Sequence, residues 1–219
     1  MSLFDILANI LVGINVTIKV TLYGMLYAVP FAFVFGVAQH FTKGIIRLFV
    51  TSIIEFWRSS PVIILIYGFY FSLPGLGVQL SAMTVGAMVL GLNIGGYGSQ
   101  AVRAALQALD PGQVEAGYAL GFRRLRILYL IELPQALAAM TPTFINQFIQ
   151  LVKGTSLVSL VTLADMTFLA KALSQIHYGP AKIYTALLIV YFLICYPATI
   201  IGRMIERRVS RGREVAHDL

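Results

Sequence analysis

EAGYALGFRRLRILYLIELPQAL, residues Glu115–Leu137, holds three arginines and two carboxylates, with an early glycine pair and a late proline, in a chain that is otherwise mostly apolar. The place of this charged island among the apolar segments decides how the chain is arranged. Of the 219 residues 58% are hydrophobic and 11% charged, and the mean hydropathy is +0.84. A soluble domain carries about a quarter charged residues, so the composition excludes one and indicates a membrane protein. At about 20 residues per crossing the length accommodates about five or six spans. Residues 1–219 are expected to form one transmembrane domain. The net charge of +7 reads as juxtamembrane anchoring against lipid, with no nucleic-acid partner expected. Cys195 is the sole cysteine and sits in an apolar run, where it reads as a small buried residue.

Working outward from the island, apolar segments fall at about residues 10–38, 45–73, 82–105, 135–161 and 183–204, with a connection at about 106–134 that contains the island. The segment Met1–Val16 has no Lys or Arg, so no cleavable leader is expected. Five spans place the termini on opposite faces. With the N-terminus outside and the C-terminus cytoplasmic, Lys43, Arg47, Arg103, Arg123, Arg124, Arg126, Arg203, Arg207, Arg208, Arg211 and Arg213 all fall inside, eleven of the sixteen basic residues. Lys and Arg concentrate on the cytoplasmic side, so this orientation is expected and the island is cytoplasmic.

Within DPGQVEAGYALG the signals are those of a short helix. Asp110 is placed to cap its N-terminus, Pro111 suits the first turn, and Gln113 stands where a capping box has its partner. Gly121 can end the helix in a left-handed conformation. A basic amphipathic segment follows, and Pro134 marks entry to the fourth apolar segment. A helix of about ten residues is marginal alone and must rest on the bundle or on another protein.

The island resembles the EAA loop of bacterial ABC importer permeases: Glu115, Ala116, Gly121, Ile131, Leu133 and Pro134 match its pattern, and Gly117 replaces the usual second alanine. EFWRSSP (Glu55–Pro61), GYGSQAVRAAL (Gly96–Leu106), DPGQVEA (Asp110–Ala116) and LVKGTSLVSLVTLADMT (Leu151–Thr167) resemble the polar amino-acid branch, although Gln100 stands where that branch commonly has Glu. The resemblance implies an all-α polytopic membrane bundle of five transmembrane helices, the ABC type I importer permease fold, in the bacterial inner membrane. It implies that the short helix couples to a separate ATP-binding cassette subunit through Glu115, Ala116, Gly117, Gly121, Arg123 and Arg124. It further implies a second permease copy or related permease, and an extracytoplasmic binding protein that delivers a small polar solute. The chain has no glycine-rich phosphate loop ending in Lys-Ser or Lys-Thr. No cofactor is expected in it, ATP and Mg belonging to the partner ATPase, and no catalytic or metal site is expected.

Polar residues inside apolar segments are costly and normally face protein or water. Thr143, Asn146, Gln150 and Lys153 recur at helical spacing on one face of the fourth segment. Asn93, Tyr97, Gln100 and Arg103 do so on the third, and Tyr184, Tyr191 and Cys195 form a weaker stripe on the fifth. Two readings stand: a solute pathway, or hydrogen bonding between helices. Glu55 and Arg58, three apart, read as an ion pair or as solute contacts. Lys153, followed by Gly154, Thr155 and Ser156, reads as a gate or pivot where the helix loosens. Gly91 and Gly95 form a GxxxG pair for close helix approach, and Pro30, Pro61, Pro142 and Pro197 interrupt four segments. The function expected is uptake of polar amino acids or similar zwitterions by alternating access. The alternatives are a permease for a compatible solute such as ectoine, or a membrane assembly protein that passes no solute.

Overall fold

The computed structural model describes residues 2–177 and 179–217, with side chains as far as Arg207, so those of Arg208, Arg211 and Arg213 lie outside the described residues. All regular structure among the described residues is helical. Helix α1 (Leu3–Val12) opens with a capping box between Ser2 and Asp5, and Gly13 joins it to α2 (Ile14–Phe41). Together they form an apolar run of 39 residues, about 58 Å long at 1.5 Å per residue, so it outreaches a hydrocarbon core of about 30 Å. Next come α3 (Gly44–Ser59) and the short α4 (Val62–Tyr67), which runs through a widened turn into a tight one ending at Leu76.

The second apolar segment is therefore not the single straight crossing expected over 45–73. Ser60 is extended before Pro61, as the proline ring requires of its predecessor, and the axis turns by 98° there. Pro30, Pro142 and Pro197, by contrast, lie inside continuous helices.

Helix α5 (Ala82–Gln107), capped by Ser81, is the centre of the bundle. It packs along α2 and also meets α3 and α8. A Cβ on Gly91 would fall 2.3 Å from the Gly24 carbonyl oxygen, one on Gly95 2.9 Å from that of Ala28, and one on Gly36 2.7 Å from that of Ser99. The two backbones thus touch, which is what the small residues of the GxxxG pattern permit. Among the described residues two helical runs, α1–α2 and α10, are long and apolar enough to cross a membrane, or up to four when each bent pair counts as one. Helix α5 is not among them, because a helix enclosed by its neighbours can carry glycines and amides in place of large apolar side chains.

Helix α6 (Pro111–Ala119) leads through α7 (Arg124–Ile127) and a widened turn, Leu128–Glu132, into α8 (Leu133–Gly154). Helix α8 tightens into a narrower helix over Thr155–Val161, and Thr162 stops it in a left-handed conformation, φ 62°, unusual for a β-branched residue. Helices α9 (Met166–Ile176) and α10 (Pro180–His217) complete the chain, α10 packing on α8, α1 and α9.

Candidate functional site

The charged island folds as its local signals require. Asp110 accepts the Gly112 N–H at 2.8 Å, and Pro111 occupies the first turn. At the other end Gly121 adopts φ 77°, its N–H donating to the Tyr118 carbonyl and that of Phe122 to the Gly117 carbonyl. These paired bonds satisfy the last carbonyls of the helix. Gln113 does not close a capping box. Its side-chain oxygen accepts from Gln135 Nε2 at 2.6 Å, which ties α6 to the first turns of α8.

Among the described residues, contacts to α6 fall on one face. Glu115, Ala116, Tyr118 and Leu120 are exposed, while Gly117 is buried. A Cβ on Gly117 would lie 2.9 Å from Cγ1 of the buried Ile127, so the departure from Glu-Ala-Ala is matched to a bulky neighbour. Gly117→Ala is expected to cost about 1 kcal/mol through overpacking, read as a lower unfolding temperature of the purified chain. Arg123 is exposed at the start of α7. Arg124 turns inward instead: its guanidinium makes a two-pronged pair with the buried carboxylate of Glu132 and lies 4.5 Å from the centre of the Phe41 ring on α2.

The polar stripes divide between the two readings. Gln100 Nε2 donates to Gln39 Oε1 at 2.9 Å, and Gln39 Nε2 donates to Thr51 Oγ1 at 2.8 Å, so these amides bind α5, α2 and α3 together. Asn93 donates to the Trp57 carbonyl at 2.8 Å, and the Tyr97 hydroxyl to the Arg58 carbonyl at 3.2 Å. Glu55 and Arg58 pair at 2.7 Å, with Ser59 donating to Glu55. The bonds from Asn93 and Tyr97 serve the packing of α3 on α5, while the Glu55 contacts lie within α3. Asn93 and Tyr97 nevertheless also line a cavity of about 390 Å³ between α5 and α8, together with Gln147 and Gln150.

Gln147 is not part of the polar stripe expected on the fourth segment, although it stands four residues after Thr143 and three before Gln150. Thr143, Asn146, Gln150 and Lys153 are all exposed, and Asn146 and Lys153 lie outside the cavity lining. Beyond Lys153 the helix does change character, and the hydroxyls of Thr155 and Ser156 take up the Val152 and Lys153 carbonyls. Those carbonyls are satisfied without the ammonium group. The tight segment ends against the fully buried Asp165, which caps α9 through the N–H groups of Phe168 and Thr167 and accepts from Tyr191 of α10 at 3.4 Å. Burial pushes the Asp165 carboxyl up from its ordinary value, and these donors oppose the shift.

Residues 28–211 match the family of binding-protein-dependent transport system inner membrane components. A "probable amino-acid ABC transporter permease protein" of Sinorhizobium fredii is 36% identical over 188 residues, covering 83% of this chain and 79% of the relative. A "probable glutamine ABC transporter permease protein" of Bacillus subtilis is 29% identical over 162 residues, covering 74% of this chain and 75% of the relative. The crystal structure of an amino acid ABC transporter with histidines superposes with a TM-score of 0.84 at 26% identity, covering 95% of this chain and 99% of the other. Membership of a binding-protein-dependent ABC system implies an ATPase partner and a solute-binding partner, and ATP is handled by the former. The exposed face of α6, the bundle centred on α5 and the match over most of the chain converge: this protein belongs to the binding-protein-dependent inner-membrane components, as the multi-pass permease subunit of an ABC importer in the amino-acid branch.

Proposed function

We propose that the chain forms one half of a membrane pathway for polar amino acids. The observation that carries this reading is on α8. Its polar face of Thr143, Asn146, Gln150 and Lys153 stays exposed in the single chain, beside a cavity that opens onto Gln147 and Gln150. Such a face is costly against lipid. A second permease, identical or related, covers it in the assembled transporter, and solute passes between the two α8 faces. Asn93 and the Tyr97 hydroxyl each donate a hydrogen bond to a backbone carbonyl of α3, and the amides of Gln147 and Gln150 are the groups that hold solute in this reading. The relatives named for amino acids and for glutamine favour a polar amino acid over a compatible solute such as ectoine.

In this reading residues 1–219 are one domain that crosses the membrane five times, N-terminus outside and C-terminus in the cytoplasm, with α3 and the bent segment after it counted as one passage. Helix α6 rests in the ATPase by its exposed Glu115 face. Closure of the ATPase pair on ATP moves α6 and switches access, acting through the differential affinity of ATP for the two states.

The test is reconstitution of the complex in vesicles with its binding protein and a panel of amino acids beginning with glutamine. Gln150→Leu is expected to lower uptake about tenfold, the equivalent of one lost hydrogen bond of about 1.4 kcal/mol. Unchanged uptake removes α8 from the pathway. For the topology, Arg123→Cys is expected to react with a membrane-impermeant thiol reagent from the cytoplasmic side only; labelling from the exterior overturns the orientation. Retained full transport in Lys153→Met would discard the pivot at 153–156.

A further inference from the structure

Leu128 of the coupling segment shares a buried apolar cluster with Val102, Ala105 and Leu106 of α5, and two further connections are made beside it. The first holds α6 to α7, through Gly117 against Ile127, and to α8, through the 2.6 Å hydrogen bond from Gln135 to Gln113. The second leads from this unit to α2 and consists of Arg124. Its guanidinium holds both carboxylate oxygens of Glu132, one at 3.0 Å from Nη2, and its plane carbon stands 4.5 Å from the Phe41 ring centre in the last turn of α2. Glu132 is buried, only 4% of its side chain being exposed, and a carboxylate so enclosed needs its partner. Arginine suits this position because one flat group meets a carboxylate at its edge and an aromatic ring at its face at the same time, which lysine cannot do.

We propose that Arg124 is a positioning residue: clasped by Glu132 and seated on Phe41, it makes α2 follow the coupling segment, so that movement of α6 reaches the α2–α5 pair as well as α8. The pair α2–α5 is the most intimate in the bundle, its backbones touching at Gly24 and Gly91. A shift delivered to the end of α2 is therefore carried by α5, whose Asn93 and Tyr97 line the cavity. Arg124 faces the bundle and plays no part in gripping the ATPase. This inference rests on the reading that α6 docks on that subunit.

The experiment measures solute taken up per ATP hydrolysed by the reconstituted complex, together with recovery of the ATPase subunit on purification. Arg124→Met strands a buried carboxylate and threatens folding, so the decisive variant is the double substitution Arg124→Met with Glu132→Gln, which removes both charges. It is expected to retain the ATPase subunit on purification while uptake per ATP falls about tenfold. Phe41→Leu is expected to lower the same ratio by a smaller factor. Arg124→Lys keeps the charge but loses the flat contact, and is expected to restore the ratio only in part. A role in stability alone would lower the amount of complex and leave the ratio of the surviving complex unchanged. A wild-type ratio in the double variant overturns the proposal, as does loss of the ATPase subunit from it, which would make Arg124 a docking residue. Retention of the ATPase by Glu115→Arg would instead defeat the docking reading, whatever the double variant shows.

Discussion

Replacing Glu115 with Arg is expected to abolish transport by separating the permease from its ATPase. Glu115 stands on the exposed side of α6, while the opposite side is held to Ile127 and Gln135. The substitution leaves the helix itself intact, because Asp110 still caps it and Gly121 still ends it. What changes is the surface offered outward, where a carboxylate becomes a guanidinium. Disrupting one partner of an interfacial charge contact costs about 2–5 kcal/mol, which weakens association roughly 30-fold or more. Co-purification with the ATPase and stimulated ATP hydrolysis should both fall, while the permease keeps its unfolding temperature. A stable complex with normal uptake would show that the exposed face of α6 is not where force enters.

The largest effect on folding is expected at Gly91. Even Gly91→Ala places a methyl group 2.3 Å from the Gly24 carbonyl oxygen and 2.8 Å from Tyr27 Cβ. One of these is backbone and the other lies next to it, so no rotamer change relieves the clash. The helices must separate along the length of their contact. Overpacking costs about 1–3 kcal/mol where side chains can yield, and here about 3 kcal/mol or more is expected, a fall on the order of 10 °C in unfolding temperature in detergent. Gly68→Ala is the control: nothing lies within 4 Å of a Cβ there, and the residue is helical with φ −58°. It should leave the unfolding temperature unchanged or slightly raised. Equal behaviour of the two variants would mean that α2 and α5 are not in backbone contact in the membrane.

The sequence by itself determined the membrane setting, the helical class and the local shape of the coupling segment. Each is written in near neighbours. Composition sets the solvent, Asp110 and Pro111 open a helix through groups at most two residues away, and Gly121 closes it by its own backbone freedom. The pairing of Glu55 with Arg58 was legible for the same reason, since residues three apart share a helix face. Gly91 and Gly95 announced a close approach but could not name the partner, which required Gly24 and Ala28 from a helix 67 residues earlier.

Only the tertiary structure decided which polar residues are mortar and which are left open. Asn93, Gln100 and Gln150 look alike in sequence, each an amide on a helical stripe. Packing gives Gln100 to Gln39 and Asn93 to the Trp57 carbonyl, and leaves Gln150 exposed at a cavity that Gln147 also lines. Arg124 is a similar case: its neighbours Arg123 and Arg126 are exposed, and nothing local distinguishes it from them until Glu132 and Phe41 are brought to it. The physical reason is common to both. A hydrogen bond or ion pair between helices depends on their register and crossing, which are set by many packed side chains at once, whereas a cap or a turn is settled within a few residues.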